Sequence, residues 1–230
     1  MSGQHFTTEQ AIEVINISKT FSGRKVLNDV SVSVQKGSIC GLVGRNGCGK
    51  TVLMKCICGF IVPENGQIKL LGKEVSRKRN ITDHVGIIIE NPGFMEDETA
   101  LNNLKYLAKL NNHIGKKQVE EAIVRVGLDP KEKKKVKNYS LGMRQRLAIA
   151  QAIMEEQGII ILDEPMNGLD IEGVKQIRKL LLELKGEGKT ILLASHNSED
   201  IRHLCDKVYR MDAGRIIEEY SSDCSAICNE

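Results

Sequence analysis

Apolar and polar residues alternate at Ile12 and Val14 and again at Val30, Val32 and Val34. That period of two puts every second side chain on one face of a strand, so these segments predict a hairpin-rich, antiparallel β lobe near the N-terminus. The pattern changes at Ser38. Residues 39–43 form a continuous apolar run, three of the next six residues are glycine, and apolar positions then recur at helical spacing to about Gly59. Short apolar runs return at residues 85–89, 158–163 and 190–195, with helical periodicity at 172–186 and 197–205. Buried strands alternating with helices predict an α/β fold whose core is a mainly parallel sheet covered on its faces by helices.

Between Thr99 and Lys137 the pattern changes to helical spacing. Leu101, Leu104, Leu107 and Leu110 recur at threes, and Val119, Ile123 and Val126 continue the pattern, which predicts a helical insertion in the α/β core. Residues 131–137 hold five lysines and one glutamate, a composition suited to a solvated loop or helix face and, less readily, to acidic lipid headgroups. Residues 207–220 alternate around Asp212, Ala213 and Gly214 and predict a terminal hairpin. The expected organisation is one folded unit over residues 11–220, with a helical subdomain at about 91–156 inside it and flexible tails at 1–10 and 221–230.

Composition narrows the partners. The 230 residues carry 33 basic and 30 acidic side chains, a net charge of +3, too small to argue for nucleic acid. Four Phe, four Tyr and no Trp leave few platforms on which single-stranded bases could stack. The longest strongly apolar runs, at 159–162 and 191–194, are strand-length and far short of the roughly 20 residues that cross a bilayer. Residues 1–10 are polar and show no secretory signal, and seven irregularly spaced cysteines suit reduced thiols in a cytoplasmic location. Cys56 and Cys58 lie in an apolar helical stretch without a matching pair, which reads as core packing and not as a metal site.

Two segments carry recognisable chemistry. Gly44, Arg45, Asn46, Gly47, Cys48, Gly49, Lys50 and Thr51 match G-x-x-x-x-G-K-[ST] between a predicted strand and a predicted helix. In that setting, backbone N–H groups and the positive helix end surround phosphates, Lys50 reaches the β- and γ-phosphates, and the Thr51 hydroxyl coordinates Mg²⁺. Cys48 is small enough to pack in the loop, and its neighbours would equally favour a thiolate. The second segment is the apolar run 159–162, which ends in Asp163 and Glu164. Carboxylates at the C-terminal end of a strand sit where doubly wound folds bind ligands. Asp163 is placed to hold Mg²⁺ and Glu164 to take a proton from the attacking water. Together the two segments indicate a P-loop NTPase.

A third segment narrows the class. Tyr139, Ser140, Leu141, Gly142, Met143, Arg144, Gln145 and Arg146, with Ser140 lying 23 residues before Asp163, resemble the L-S-G-G-Q-x-Q-R signature of ATP-binding cassette (ABC) proteins. Ser140 could equally be a helix N-cap, and the two readings are compatible. The resemblance extends over residues 12–220. Phe21 stands where the family carries the aromatic that stacks on adenine. Asn167, Gly168, Leu169 and Asp170 look like its D-loop, and His196, 32 residues after Glu164, looks like its switch histidine, which contacts the γ-phosphate. Three positions depart from the pattern: Leu141 replaces a glycine, Met143 replaces a glutamine, and Glu90 stands at the usual position of the Q-loop glutamine. A glutamate there only accepts hydrogen bonds and adds a negative charge beside the metal, to which it could also be a ligand. The run Glu90, Asn91, Pro92, Gly93, Phe94 resembles ATPase subunits of bacitracin and lantibiotic export or self-protection transporters.

The resemblance implies a subunit that binds and hydrolyses ATP with Mg²⁺ and powers a separate integral membrane permease, exporting a peptide antibiotic or similar amphiphile. It also implies a second ATPase subunit in a head-to-tail pair, with Ser140, Leu141, Gly142 and Met143 of one chain closing over the ATP of the other. The location implied is cytoplasmic, on the inner face of the membrane through the permease. A soluble ABC-type switch acting on a ribosome or DNA complex is the alternative, but such chains generally join two cassettes or insert long coiled coils.

Overall fold

The computed structural model describes residues 9–75, 85–90, 93–111 and 113–221. Strands β1 (Gln10–Phe21) and β2 (Arg24–Gln35) form the predicted hairpin, with Val14 opposite Val32 and Ile17 opposite Val30. Strands β4 (Asn65–Leu70) and β5 (Lys73–Glu74) extend it into a four-stranded antiparallel sheet of order β2-β1-β4-β5. Between the two hairpins the chain makes β3 (Ile39–Val43) and α1 (Lys50–Ile57).

The second sheet has the order β10-β9-β3-β8-β7-β6. Its strands β6 (Val85–Ile88), β7 (Ile159–Asp163), β8 (Thr190–Ala194) and β9 (Lys207–Asp212) run parallel to β3, and β10 (Arg215–Ser221) returns antiparallel as the expected hairpin. Each parallel strand contributes buried apolar side chains to both faces of the sheet. Along β7, Ile160 and Leu162 enter one hydrophobic cluster while Ile159 and Ile161 enter the other, as a period of two requires. The second cluster joins this sheet to α1 and the antiparallel sheet. The first is built with α2 (Ala100–Asn111), α3 (Lys116–Arg125), α4 (Leu141–Ile153), α5 (Ile171–Gly186) and α6 (Ser198–Leu204). Helices α2 and α3 lie in the segment read as a helical insertion, and α4 follows it within residues 91–156.

Strand pairing reaches Gln10, opposite Gln35, and Ser221, opposite Lys207, both within the segments expected as tails. Glu9, also in the first of these segments, accepts from the Lys36 N–H at 3.0 Å, while residues 1–8 and 222–230 lie outside the described residues, as do Asn91 and Pro92. The lysine run is exposed except at Val136, which is fully buried. Lys137 and Lys135 both pair with Asp97, at 2.6 and 3.7 Å, so the run reads as a solvated loop tied to its neighbour.

Register gathers the chemistry at one edge. Leu42 pairs with Ala194, Ala194 with Asp163, and Leu162 with Ile88. The segments that follow β3, β7, β8 and β6 therefore leave the sheet side by side, carrying the glycine-rich loop, Glu164, His196 and Glu90.

Candidate nucleotide site

The loop after β3 packs closely against the backbone at the end of β9. A Cβ on Gly44 would lie 2.2 Å from the Met211 carbonyl oxygen, and φ here is +154°, so glycine is required on both counts. Gly49 occupies the N-cap of α1, leaving the first N–H groups of the helix free for an anion. Lys50 is 6% exposed and donates from Nζ to the carbonyls of Gly44 at 2.7 Å and Arg45 at 3.3 Å. Thr51, one residue on, donates from its hydroxyl to Asp163 Oδ2 at 2.7 Å. Burial pushes the Asp163 carboxyl above its ordinary value; the Thr51 hydrogen bond opposes that shift and the Glu164 charge adds to it.

Glu164 has φ +50°, uncommon for a residue with a side chain. Its backbone is pinned on both sides: the N–H donates to Ala194 O at 3.0 Å, and its carbonyl accepts from Gln145 Nε2 at 3.3 Å. Oε2 then lies 2.8 Å from Nδ1 of His196. Glu90 also has positive φ, at +62°, and its Oε1 lies 2.6 Å from Lys55 Nζ of α1.

Lys50, Thr51, Asp163, Glu164 and Glu90 border one cavity of about 610 Å³, within the range of ligand pockets, while Gly44, Lys55 and His196 stand outside its walls. Its walls include Asn46, Gly47, Gly49, Lys50, Thr51, Glu90, Asp163, Glu164 and Asn167. Arg24, Lys25 and Val26 at the start of β2, Val52 of α1, Gln145 of α4, and Ala213 and Gly214 of the terminal turn complete it; none of these was predicted as a site residue from the sequence. Arg24 and Lys25 are two adjacent cations, a signal the sequence did carry. The terminal turn is brought in by Gly214, whose N–H donates to the Cys48 carbonyl at 3.0 Å, a contact no local pattern announces. The hydroxyl and carboxylate pair of Thr51 and Asp163 is a hard oxygen donor set that suits Mg²⁺.

Several predicted residues stand outside these walls. Phe21 is 42% exposed at the end of β1, opposite Arg24, with Lys19 Nζ 5.5 Å from its ring centroid. Cys48 is 5% exposed and packs in the second cluster, which favours the packing reading over a reactive thiolate. Cys56 and Cys58 are buried likewise, and burial pushes their thiols up to about 11 and about 12. Ser140, Leu141, Gly142 and Met143 line a different surface, against the turn that follows Glu164. Ser140 caps α4 by accepting from the Met143 N–H at 3.2 Å. A Cβ on Gly142 would sit 3.0 Å from the Gly168 carbonyl oxygen, so its small size already has a use within its own chain. Asp170 caps α5 by accepting from the Gly173 N–H at 2.7 Å.

A family model described as ABC transporter matches residues 27–167, which include the loop, both carboxylates and the α4 motif. The chain belongs to the ABC transporter family, as an ATP-binding subunit. The bacitracin transport ATP-binding protein BcrA of Enterococcus faecalis is 42% identical to this ABC subunit, over 92% of this chain and 69% of the relative. The lantibiotic transport ATP-binding protein SrtF of Streptococcus pyogenes is 34% identical, over 92% and 91%. Among solved structures, the cassette MJ0796, a dimer in a post-hydrolysis state bound to ADP and Pi, shares the fold with a TM-score of 0.85. It is 21% identical, over 92% of this chain and 98% of that one.

ATP hydrolysis is the activity the ABC family implies. Among the described residues no helix is long and apolar enough to cross a membrane. The departures from the family signature have structural partners: Leu141, 61% exposed, lies over Gly168, and Met143 packs partly against the first cluster.

Proposed function

We propose that this ABC subunit hydrolyses Mg-ATP to drive export of a peptide antibiotic or similar amphiphile through a separate membrane permease. The observation carrying the enzymatic part is the convergence of Lys50, Thr51, Asp163 and Glu164 on one cavity, with His196 hydrogen-bonded to Glu164. Lys50 exchanges its two loop carbonyls for β- and γ-phosphate oxygens, and Thr51 and Asp163 hold Mg²⁺. Mg²⁺ held there by Thr51 and Asp163 would supply positive charge to offset the negative charge that develops on the phosphate oxygens. Glu164 takes a proton from the attacking water while His196 fixes its carboxylate. An imidazole that donates from Nδ1 to Glu164 can donate from Nε2 to the γ-phosphate only when protonated. Phe21 stacks on adenine.

The catalytic partner is a second ATPase subunit. Ser140 to Met143 lie away from their own chain's cavity, which supports a head-to-tail pair in which they cover the other subunit's ATP. Ser140 retains a donor for this, because its helix cap uses only a lone pair. The cassette solved as a dimer with ADP and Pi supports the same reading. The relatives named for bacitracin and lantibiotic transport support the substrate class. The proposed function implies a position on the cytoplasmic side of the membrane, held there through the permease.

Two measurements bear on this reading. An affinity-tagged chain purified from detergent-solubilised membranes should bring down an integral membrane protein, and deleting its gene should sensitise the host to a peptide antibiotic. Recovery without any membrane partner, together with unchanged sensitivity, would remove the transport role. For Glu90, substitution by Ala should lower hydrolysis or its coupling to transport, and Glu90→Gln should keep more activity, since an acceptor oxygen survives. Equal ATPase rates and transport in all three proteins would show that Glu90 has no part in either.

A further inference from the structure

A buried charge lies behind the loop that carries His196. Asp200, in α6, is 1% exposed. Its Oδ1 accepts from Arg178 Nε at 2.8 Å and lies 2.6 Å from the same residue's Nη2. That second nitrogen also reaches Glu199 at 3.1 Å. Oδ2 of Asp200 accepts from the Ser195 hydroxyl at 3.3 Å, and Ser195 is 2% exposed. The same Oγ accepts the N–H of Asn197 at 3.1 Å. Asn197 in turn caps α6 by accepting from the Glu199 N–H at 2.8 Å.

Both neighbours of His196 are thus fixed, while its own side chain is two-thirds exposed and makes its one described hydrogen bond to the Glu164 carboxylate. With so little packing around the ring, its direction is set by the backbone at 195–197. A buried carboxylate is costly to desolvate unless paired, and apolar residues could have joined α5 to α6 without that cost. What the pair adds is a fixed acceptor that orients the Ser195 hydroxyl, and through it the turn.

We propose that Arg178, Asp200 and Ser195 are positioning residues for ATP hydrolysis, holding the His196 ring against Glu164 through a hydrogen-bonded chain from α5 across α6 to the loop. The inference rests on the catalytic reading of His196. In the purified chain with saturating Mg-ATP, Ser195→Ala should lower kcat about 10-fold with KM nearly unchanged, the scale of a small misplacement at a reacting centre. Ser195→Thr, which keeps the hydroxyl, should restore most of the rate, and Asp200→Asn should fall between wild type and Ser195→Ala.

A double-mutant cycle separates positioning from mere support. If Ser195 acts through His196, Ser195→Ala should cost little more in a His196→Ala background. The same fold-loss in both backgrounds, or a Ser195→Ala enzyme at the wild-type rate beside a slow His196→Ala, overturns the inference alone. A His196→Ala enzyme at the wild-type rate removes the catalytic reading of His196 and this inference with it.

Discussion

Replacing Glu164 by Gln is expected to reduce ATP turnover by about 10² or more, the scale of a lost general base, while ATP binding stays near wild type. The amide fills the same volume and still meets His196, but it has no carboxylate oxygen to take a proton from water. Its backbone is held independently by Ala194 and Gln145, so the left-handed conformation survives the exchange. Binding without hydrolysis should accumulate an ATP-bound dimer, visible as a shift to twice the mass in size-exclusion chromatography with ATP. Steady-state turnover close to wild type would remove Glu164 from the role of base.

The second large effect concerns folding. Gly86 in β6 faces the C-terminal end of α4 so closely that a Cβ would lie 1.9 Å from the Ala152 carbonyl oxygen. Neither partner can yield by turning a side chain, because the opposing atom is backbone. Gly86→Ala should therefore destabilise by about 3 kcal/mol, at the upper end of overpacking penalties. For a chain of this size that lowers Tm by roughly 6–12 °C. Gly158, which has open space around its Cβ position, is the control: Gly158→Ala should change stability by no more than about 0.5 kcal/mol. Matching Tm values for the two variants would mean that the strand and helix separate freely at this contact. Because α4 begins at the Ser140 cap, the Gly86 variant should also disturb the signature surface at the other end of the helix.

What the sequence made legible was local. The run from Ile39 through Thr51 holds a strand, a loop and a helix start in contiguous residues, and each element announces itself by period or by glycine. Strands β4 and β5 went unpredicted because Ile68 and Leu70 are the only buried residues in the pair, too few to set a period. Arg24, Gln145 and Gly214 border the cavity only because distant segments fold onto the loop. The buried Asp200 was equally hidden, since no pattern of neighbours marks a carboxylate as buried when its cation lies 22 residues earlier on another helix. Gly142 shows a subtler limit: the family resemblance set it over the partner's ATP, whereas the fold gives its small size a nearer use at the Gly168 carbonyl.

The sharing of β7 between two hydrophobic clusters has a consequence for how the chain finds its pairing. Ile159, Ile160, Ile161 and Leu162 are nearly interchangeable, so sliding the strand by one residue would still fill both sides with apolar atoms. The interior cannot tell the correct alignment from its neighbour. The ends can: a slip one way would draw Asp163 into the apolar interior, and a slip either way would break its bond to Thr51 and the Glu164 bond to Ala194. The two carboxylate residues that serve the chemistry therefore also act as the index marks by which a featureless strand is set in its place.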